Sequence, residues 1–341
     1  MFQGRELQVP QTDKELIEHA KYLGVVLDPR LTWRVHLERV RSKAIKRMEL
    51  LLRITNNRSG ARHNRVILLF RICVRPSLEY ACVIWNDASE HLKTSLIDSI
   101  QHRVLARAMG VRRATSREAL EVESGVEPLE LRRRMLTART YNRLIAGSSR
   151  ISKVLDRHKH KAVPILRSTL NSSFALRGEE LQGVYPAGCN VTEILKEQWQ
   201  AQWDRSGFGR WFYRLQPEVR FQPAPWANKL PRWIVSTIAG MRLGNSAVRA
   251  DLFRSGLSDS PICECGVDET RAHYWLSCGR YFRERDELQS SVSWTLQDHI
   301  FLSMNVLVGF NNPRKRKNEE IRTAVVKFLQ DTGRFQPKQN A

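Results

Sequence analysis

The stretch from Pro261 to Arg280 constrains this chain most, because it concentrates side chains that bind metals. Three cysteines and one histidine lie in it: Cys263, Cys265, His273 and Cys278. Three thiolates and one imidazole complete a tetrahedral zinc site and leave no open position, which is typical of a structural site. Gly266, directly after the second cysteine, permits the positive φ of a tight turn. The stretch therefore predicts a small zinc-knuckle module with a structural Zn²⁺.

Two other interpretations of these cysteines remain open. Cysteine and histidine also occur as ordinary buried residues, and the one-residue gap between Cys263 and Cys265 is shorter than the usual gap of about two to four. A disulfide is the weaker alternative, because the six cysteines lie in a long chain without an apolar signal segment at Met1. This pattern favours a reducing compartment, so we predict an intracellular protein of the nucleus and cytoplasm.

The charge of the chain indicates a polyanionic partner. Its 341 residues carry 56 lysines and arginines against 35 aspartates and glutamates, a formal net charge of +21. Residues 31–150 alone carry 24 basic and 11 acidic side chains, a net charge of +13. Such an excess neutralises phosphates, which favours RNA or DNA as the partner. We expect no membrane partner, because no apolar run is long enough to span a bilayer and no amphipathic anchor is visible.

The first residues predict a β-hairpin. Residues 2–9 and residues 20–27 both have the composition of short strands, and the second ends at Asp28. Gly24 inside the second strand suggests a bulge or a close approach of another part of the chain. Two strands alone are marginally stable in water. We therefore expect this hairpin to belong to a larger sheet whose front part this chain lacks.

Residues 29–147 are predicted to form a helical bundle. From Leu31 onward the apolar residues recur at helical spacing, and Thr32 is the expected N-cap of the first helix. Pro76 should stop or kink the second helix. The further helices are predicted at residues 62–74, 89–109, 116–123 and 128–146.

Two different segments are predicted next. Residues 148–190 are rich in Ser, Gly, Pro and basic residues, so they should form a linker. Residues 191–290 should form an aromatic-rich, zinc-binding module that begins with a helix. Trp199 and Trp203 lie at helical spacing, which favours packing in the core over the stacking of nucleic-acid bases.

The remaining residues, 291–341, are predicted to form a basic tail with a helix. That helix should span Glu319 to Thr332, with its apolar residues along one face. The basic run at residues 313–317 fits a nuclear address, a phosphate contact or ordinary solvated charge.

Several short groups of residues carry a resemblance to one family. They are Lys21-Tyr22-Leu23-Gly24-Val25, Arg75-Pro76-Ser77-Leu78-Glu79-Tyr80, Ser124-Gly125-Val126 and Gly209-Arg210-Trp211, followed by the cysteine-histidine stretch. In their order and spacing they resemble the C-terminal part of non-LTR (LINE-type) retrotransposon reverse transcriptases of the R1, Jockey and I group. The resemblance implies a mainly α fold: a β-hairpin remnant of the palm at residues 1–28, a thumb-like helical bundle and the zinc-knuckle module.

The resemblance also implies how the chain would bind nucleic acid. The thumb would grip a template–primer duplex through its backbone, and the C-terminal module would help to hold element RNA or target DNA. The residues Tyr22, Leu23 and Gly24 match the primer-grip hairpin of the family. Candidate phosphate contacts on the first helix are Arg34, Arg39, Arg41, Lys43, Lys46 and Arg47.

The catalytic residues of that family have no counterpart here. In the family, an aromatic-x-Asp-Asp turn holds the two Mg²⁺ ions of the polymerase, and this sequence contains no adjacent pair of aspartates. We therefore expect no enzyme activity from the fragment. Mg²⁺ would serve only the intact parent, an RNA-directed DNA polymerase with an endonuclease. The alternative function is a domesticated, zinc-containing fragment that binds a protein partner.

Overall fold

A computed structural model describes residues 19–55, 60–86, 88–147, 190–296, 302–310 and 314–337. Over these residues the chain is mainly α-helical with one two-stranded hairpin, which confirms the predicted fold class. The predicted strand at residues 2–9 and residues 148–189 of the predicted linker lie outside the described residues. No described helix is both long and apolar enough to cross a membrane.

The helices fall into two groups along the chain. The first group comprises α1 (Arg34–Arg53), α2 (His63–Leu69), α3 (Arg75–Glu79), α4 (Cys82–Trp85), α5 (Glu90–Lys93), α6 (Ser99–Met109), α7 (Arg117–Ser124) and α8 (Leu129–Gly147). The second group comprises α9 (Val191–Arg205), α10 (Arg210–Leu215), α11 (Arg232–Leu243), α12 (Arg249–Arg254), α13 (Phe282–Leu296), α14 (Met304–Gly309) and α15 (Lys315–Thr332).

The hairpin consists of β1 (Ala20–Tyr22) and β2 (Val25–Leu27), paired antiparallel. The prediction of one continuous strand over residues 20–27 was therefore wrong. Leu23 and Gly24 both have positive φ, 43° and 84°, as a tight two-residue hairpin turn requires. The close approach suggested by Gly24 is confirmed, since a Cβ there would lie 3.3 Å from the ring of Tyr80.

The start of α1 differs from the prediction. Thr32 is not the N-cap; that position belongs to Trp33, which has φ 67° and makes no capping hydrogen bond with its side chain. The carboxylate of Asp28 instead accepts hydrogen bonds from the backbone N–H groups of Arg30, Thr32 and Trp33 at 3.2, 2.9 and 2.9 Å. These bonds lower the pKa of Asp28. The predicted apolar face of α1 is confirmed: Leu37, Val40, Ala44, Met48 and Leu51 are buried.

The helical path from α2 to α3 is not stopped at Pro76. A π-helical turn, Phe70–Val74, connects the two helices, and Pro76 follows in the first turn of α3. Proline is tolerated in a first helical turn, where its missing N–H is not needed. The helix therefore passes the proline and ends at Glu79.

Serine and glycine residues set the other helix ends in the bundle. Ser89 accepts a hydrogen bond from the N–H of Leu92, and Ser116 accepts one from the N–H of Ala119. Gly110 ends α6 in the left-handed conformation, at the predicted helix end. These caps satisfy backbone groups that a helix leaves without partners at its ends.

Buried side chains of the bundle and of residues 191–290 belong to one contiguous hydrophobic core. Trp199 and Trp203 are buried in it, which confirms their predicted packing role. Polar contacts also join the two parts, since Arg232 donates to the carbonyls of Ala61 and Arg107 at 2.7 and 2.5 Å. The division of the chain into five segments stays a prediction.

The C-terminal helix α15 packs against α13 and α14. Its predicted apolar face is confirmed, because Ile321, Val325, Phe328 and Leu329 are all buried. This packing places the end of α15 beside the cysteine-histidine stretch.

Candidate metal centre and basic helix face

A tight backbone turn places the first two cysteines. Gly266 has φ 88° and donates its N–H to the carbonyl of Cys263 at 2.9 Å, while the N–H of Cys263 donates to the carbonyl of Val267 at 2.7 Å. Ile262 and Asp268 form an antiparallel bridge just outside the turn. The knuckle is therefore a miniature hairpin with Cys263 and Cys265 at its tip.

A π-helical turn, His273–Ser277, places the other two ligands. The N–H of Cys278 donates to the carbonyl of His273 at 2.8 Å, five residues back. In an ordinary α-helix, residues five apart are rotated by about 140° and point to different sides. The wider π-helical turn brings both side chains to one side.

The four side chains meet at one point. One ligand atom from each of Cys263, Cys265, His273 and Cys278 lies within 4.8 Å of all the others. The Sγ atom of Cys278 lies 3.8 Å from that of Cys263 and 4.0 Å from that of Cys265, whose Sγ is 3.2 Å from Nε2 of His273. A zinc–sulfur distance of about 2.3 Å places the sulfurs of a tetrahedral site about 3.8 Å apart. The cluster could therefore hold a metal ion.

These sulfur distances do not fit a disulfide, in which the two sulfur atoms lie about 2.05 Å apart.

The thiols of Cys278 and Cys265 lie in different environments. Burial raises the pKa of Cys278 to about 11, whereas the backbone N–H of Val267 lowers the pKa of Cys265, which is exposed. A bound cation would offset the desolvation of a buried thiolate.

A partly buried ion pair supports the turn. Arg334 donates to the two carboxylate oxygens of Glu269 at 2.8 and 2.7 Å, and the N–H of Arg249 donates to the same carboxylate at 2.7 Å. Although burial acts to raise it, the pKa of Glu269 is lowered by these bonds. No local sequence pattern indicates this pair, because its two residues lie 65 positions apart.

The π-helical turn also packs on the C-terminal helix. Tyr274 makes edge contacts with Phe328 and Phe335, at centroid distances of 5.5 and 4.9 Å, and Trp275 stacks on Phe328 at 5.1 Å. The hydroxyls of Tyr274 and Thr332 are hydrogen-bonded at 2.8 Å. Residues 314–337 thus supply apolar contacts to the knuckle that its own stretch lacks.

The six candidate phosphate contacts on α1 differ in their exposure and in their contacts with other residues. Arg39, Lys43 and Lys46 are exposed and lie three or four residues apart, so they form one stripe on the solvent side. Arg34 is exposed but lies 3.7 Å from Glu38, and Arg41 is half-buried on the other flank. Arg47 is also exposed and donates to Oγ of Ser77 at 2.5 Å and to the carbonyl of Cys73 at 3.3 Å. We define the basic stripe as Arg39, Lys43 and Lys46.

The three residues that match a primer grip form the tip of the hairpin. Tyr22 and Leu23 are 69% and 75% exposed, so both side chains are available to a partner. The hydroxyl of Tyr80 donates to the carbonyl of Leu23 at 2.6 Å and holds the tip against the bundle. Gly24 presents only backbone at this point.

Comparison with curated proteins gives relatives over most of the chain. The Retrovirus-related Pol polyprotein from type-1 retrotransposable element R1 2 of Nasonia vitripennis is 26% identical over 277 residues, 80% of this chain and 62% of that protein. The R1 Pol polyprotein of Bradysia coprophila is 24% identical over 78% of this chain and 24% of its own length. A probable RNA-directed DNA polymerase from transposon X-element of Drosophila melanogaster is 28% identical over 49% of this chain and 16% of its own length.

The chain thus spans about three fifths of the first of these polyproteins and about a quarter of the second. No family model matches the sequence. No solved structure matches it.

Proposed function

The chain is a relative of the Pol polyproteins of R1-type non-LTR retrotransposons, and on this premise we propose that it is a nucleic-acid-binding part of a retrotransposon RNA-directed DNA polymerase. Its helical bundle grips a template–primer duplex, and its C-terminal part helps to hold element RNA or target DNA. It works in the cytoplasm and nucleus.

The basic stripe on α1 is the observation that carries this proposal. Its three side chains are exposed and stand along about 10 Å of helix. Duplex DNA carries about six negative charges over that length. Because the opposite face of α1 is buried in the core, the stripe is held rigidly for contact with a phosphate backbone.

A neutral triple variant tests the stripe. We expect Arg39→Gln, Lys43→Gln and Lys46→Gln together to reduce the slope of log affinity against log salt on duplex DNA by about 2.7, or about 0.9 for each contact. Fluorescence anisotropy with a labelled duplex, titrated at several salt concentrations, measures this slope.

The matched control removes the same charge elsewhere. Lys196, Arg205 and Arg214 are exposed on α9 and α10, and their joint replacement by glutamine should leave the slope close to that of the parent chain. If both triple variants change the slope equally, the binding depends on net charge alone and the proposed contact face is wrong.

We also propose that Cys263, Cys265, His273 and Cys278 hold one structural Zn²⁺. The donor set and the sulfur separations support this assignment. Elemental analysis of the purified chain should give one zinc per molecule, and X-ray absorption should give zinc–sulfur distances of about 2.3 Å and a zinc–nitrogen distance of about 2.0–2.1 Å.

Two cysteine variants separate metal binding from simple packing. Cys278→Ser should lose the zinc and lower the melting temperature. Cys73→Ser changes an exposed cysteine away from the cluster, so it should keep the zinc and the melting temperature of the parent chain. A zinc-free preparation that melts at the same temperature as the zinc-loaded chain would contradict the structural role.

The chain itself should not polymerise nucleotides, since it has no adjacent aspartate pair to hold Mg²⁺. Incorporation of labelled nucleotide on a primed RNA template, above that of a mock purification, would refute this expectation.

One observation favours a second candidate, a protein-interaction fragment. Tyr22, Leu23, Tyr80 and Ile84 expose large apolar side chains in and near the hairpin, which suits a protein contact. Salt distinguishes the two functions, because an apolar interface should respond weakly to salt where phosphate binding responds steeply.

A further inference from the structure

Four large aliphatic side chains are exposed on two neighbouring helical segments of the bundle. Leu50 and Ile54 lie at the end of α1, Leu68 lies in α2, and Ile72 lies in the π-helical turn that follows α2. Each of these side chains is between 45% and 62% exposed. Single exposed aliphatic residues are normal in proteins, but a contiguous group of them indicates an interaction surface.

Two hydrogen bonds show that the two segments run side by side. At the end of α1, the N–H of Ala61 donates to the carbonyl of Ile54 at 2.8 Å. Two turns earlier on α1, Arg47 donates to the carbonyl of Cys73 at 3.3 Å. Residue numbers fall from the first contact to the second on α1 and rise on the other segment. The two segments are therefore antiparallel neighbours between these contacts.

Helical periodicity places the four aliphatic side chains together. Arg47, Leu50 and Ile54 are three and four residues apart, so they share the flank of α1 that faces the second segment. Leu50 and Leu68 each lie near the middle of their segment between the two contacts. Leu68 and Ile72 are four residues apart and are both exposed. We define the apolar strip as Leu50, Ile54, Leu68 and Ile72.

The charges around the apolar strip are almost all of one sign. Residues 39–78 contain eleven basic side chains and one acidic side chain, Glu49. On α1, Glu49 is rotated by about 200° from Arg47, so it points away from the strip. Arg53 and Arg65 are exposed and lie within one turn of strip residues. The strip therefore lies in a basic surround.

These charges decide between the possible occupants of the strip. A second copy of the same surface would bring like charges together, which disfavours self-association. Nucleic acid is also a poor occupant, because aliphatic side chains offer no hydrogen bond to a phosphate and no ring on which a base could stack. A protein segment with an apolar face and acidic flanks complements both the strip and its surround.

We propose that the apolar strip binds an amphipathic helix of a partner protein, with aliphatic side chains of that helix on the strip and its acidic side chains on Arg53 and Arg65. A helix that docks in this way uses apolar residues at positions i, i+3 or i+4, and i+7. The strip begins one turn beyond Lys46, the last residue of the basic stripe. The partner helix would therefore lie next to the proposed duplex contact without using its residues.

A designed peptide of about 15 residues tests the proposal. It carries leucines at helical spacing on one face, glutamates beside them and alanines elsewhere to favour the helix. One control peptide has lysines in place of the glutamates, and another has serines in place of the leucines. Fluorescence anisotropy of each labelled peptide with the full chain measures its affinity. The acidic, leucine-containing peptide should bind about tenfold or more tightly than either control.

Two pairs of substitutions test the residues of the surface. Leu50→Gln with Ile72→Gln should weaken binding of the acidic peptide about tenfold, because it removes two of the apolar contacts. Arg53→Gln with Arg65→Gln should make the binding less sensitive to salt. The control Leu257→Gln changes an exposed aliphatic residue after α12, so it should keep the affinity of the parent chain.

A charge control, duplex binding and sedimentation complete the experiment. Lys196→Gln with Arg214→Gln, which removes two exposed charges from α9 and α10, should keep the salt dependence of peptide binding. Leu50→Gln with Ile72→Gln should bind a labelled DNA duplex like the parent chain, since the basic stripe is unchanged.

Four results would overturn the proposal. The acidic peptide could bind no more tightly than its controls, or the leucine and isoleucine variant could bind that peptide like the parent chain. Duplex affinity could fall in this variant by the same factor, which would assign the strip to nucleic acid. Sedimentation could show a dimer that the variant dissociates, which would assign the strip to a second copy.

Discussion

Replacing Arg242 by methionine should destabilise the fold much more than replacing an exposed arginine. Its side chain is 1% exposed and that of its partner Glu123 is 0% exposed. Arg242 donates to Glu123 through Nε at 2.6 Å and through a terminal nitrogen at 3.1 Å, and it also donates to the carbonyls of Val308 and Gly309. The side chain thus connects α7, α11 and the end of α14.

The expected loss of stability follows from the unpaired charge that this substitution creates. Methionine roughly fills the volume of the arginine side chain but leaves the carboxylate of Glu123 buried without its counter-charge. Removing one member of a buried ion pair costs about 3–5 kcal/mol. Two carbonyl groups lose a donor as well, so we expect about 4 kcal/mol or more. Domains typically have only about 5–15 kcal/mol of total stability, so the loss should be large in any unfolding experiment.

Urea unfolding followed by tryptophan fluorescence and circular dichroism measures this loss. The control Arg254→Met removes an arginine that is 67% exposed and lies 3.0 Å from Asp251, and it should cost less than about 1 kcal/mol. The double variant Glu123→Gln, Arg242→Met should recover part of the loss, because it removes the unpaired charge. A loss below about 1 kcal/mol for Arg242→Met, or a double variant less stable than the single one, would refute the reasoning.

Two further predictions concern other buried positions. Burial raises the pKa of Glu121 to about 8, from an ordinary value of 4.5; the folded state therefore keeps a proton that the unfolded state releases, and stability should fall as pH rises from about 4.5 to 8. Glu121→Gln, which keeps an acceptor for Gln101, should flatten this fall in urea unfolding at several pH values; an unchanged profile would contradict it. Gly125→Ala should cost more than Gly256→Ala in the same unfolding assay. Both glycines have positive φ, but only at Gly125 would a Cβ overlap the backbone of Gln222; equal losses would contradict the predicted overlap.

The parts of the fold that the sequence predicts are those determined by neighbouring residues. The apolar faces of α1 and α15, the helix starts near residues 89 and 116, and the helix end at residue 109 all depend on residues within one or two turns. The hairpin turn was missed for the opposite reason. A leucine with positive φ has no local signal, and the conformation of Leu23 is supported by Tyr80, far along the chain.

In the candidate metal site, too, the features set by neighbouring residues could be predicted and those set by distant residues could not. The ligands could be selected from the sequence, because all four lie in one short stretch at spacings that a turn and a π-helical turn can bring together. What surrounds them could not be selected, since Glu269 and Arg334 become neighbours only in the folded chain.

During synthesis, the knuckle emerges from the ribosome before the arginine that pairs with Glu269. Arg334 follows Glu269 by 65 residues, so the ribosome releases the cysteines well before the arginine that fixes their turn. Over that interval the nascent knuckle also lacks Phe328 and Thr332, its contacts on α15. An ion bound at that stage would be the main constraint on the new knuckle, and α15 would close over the site later.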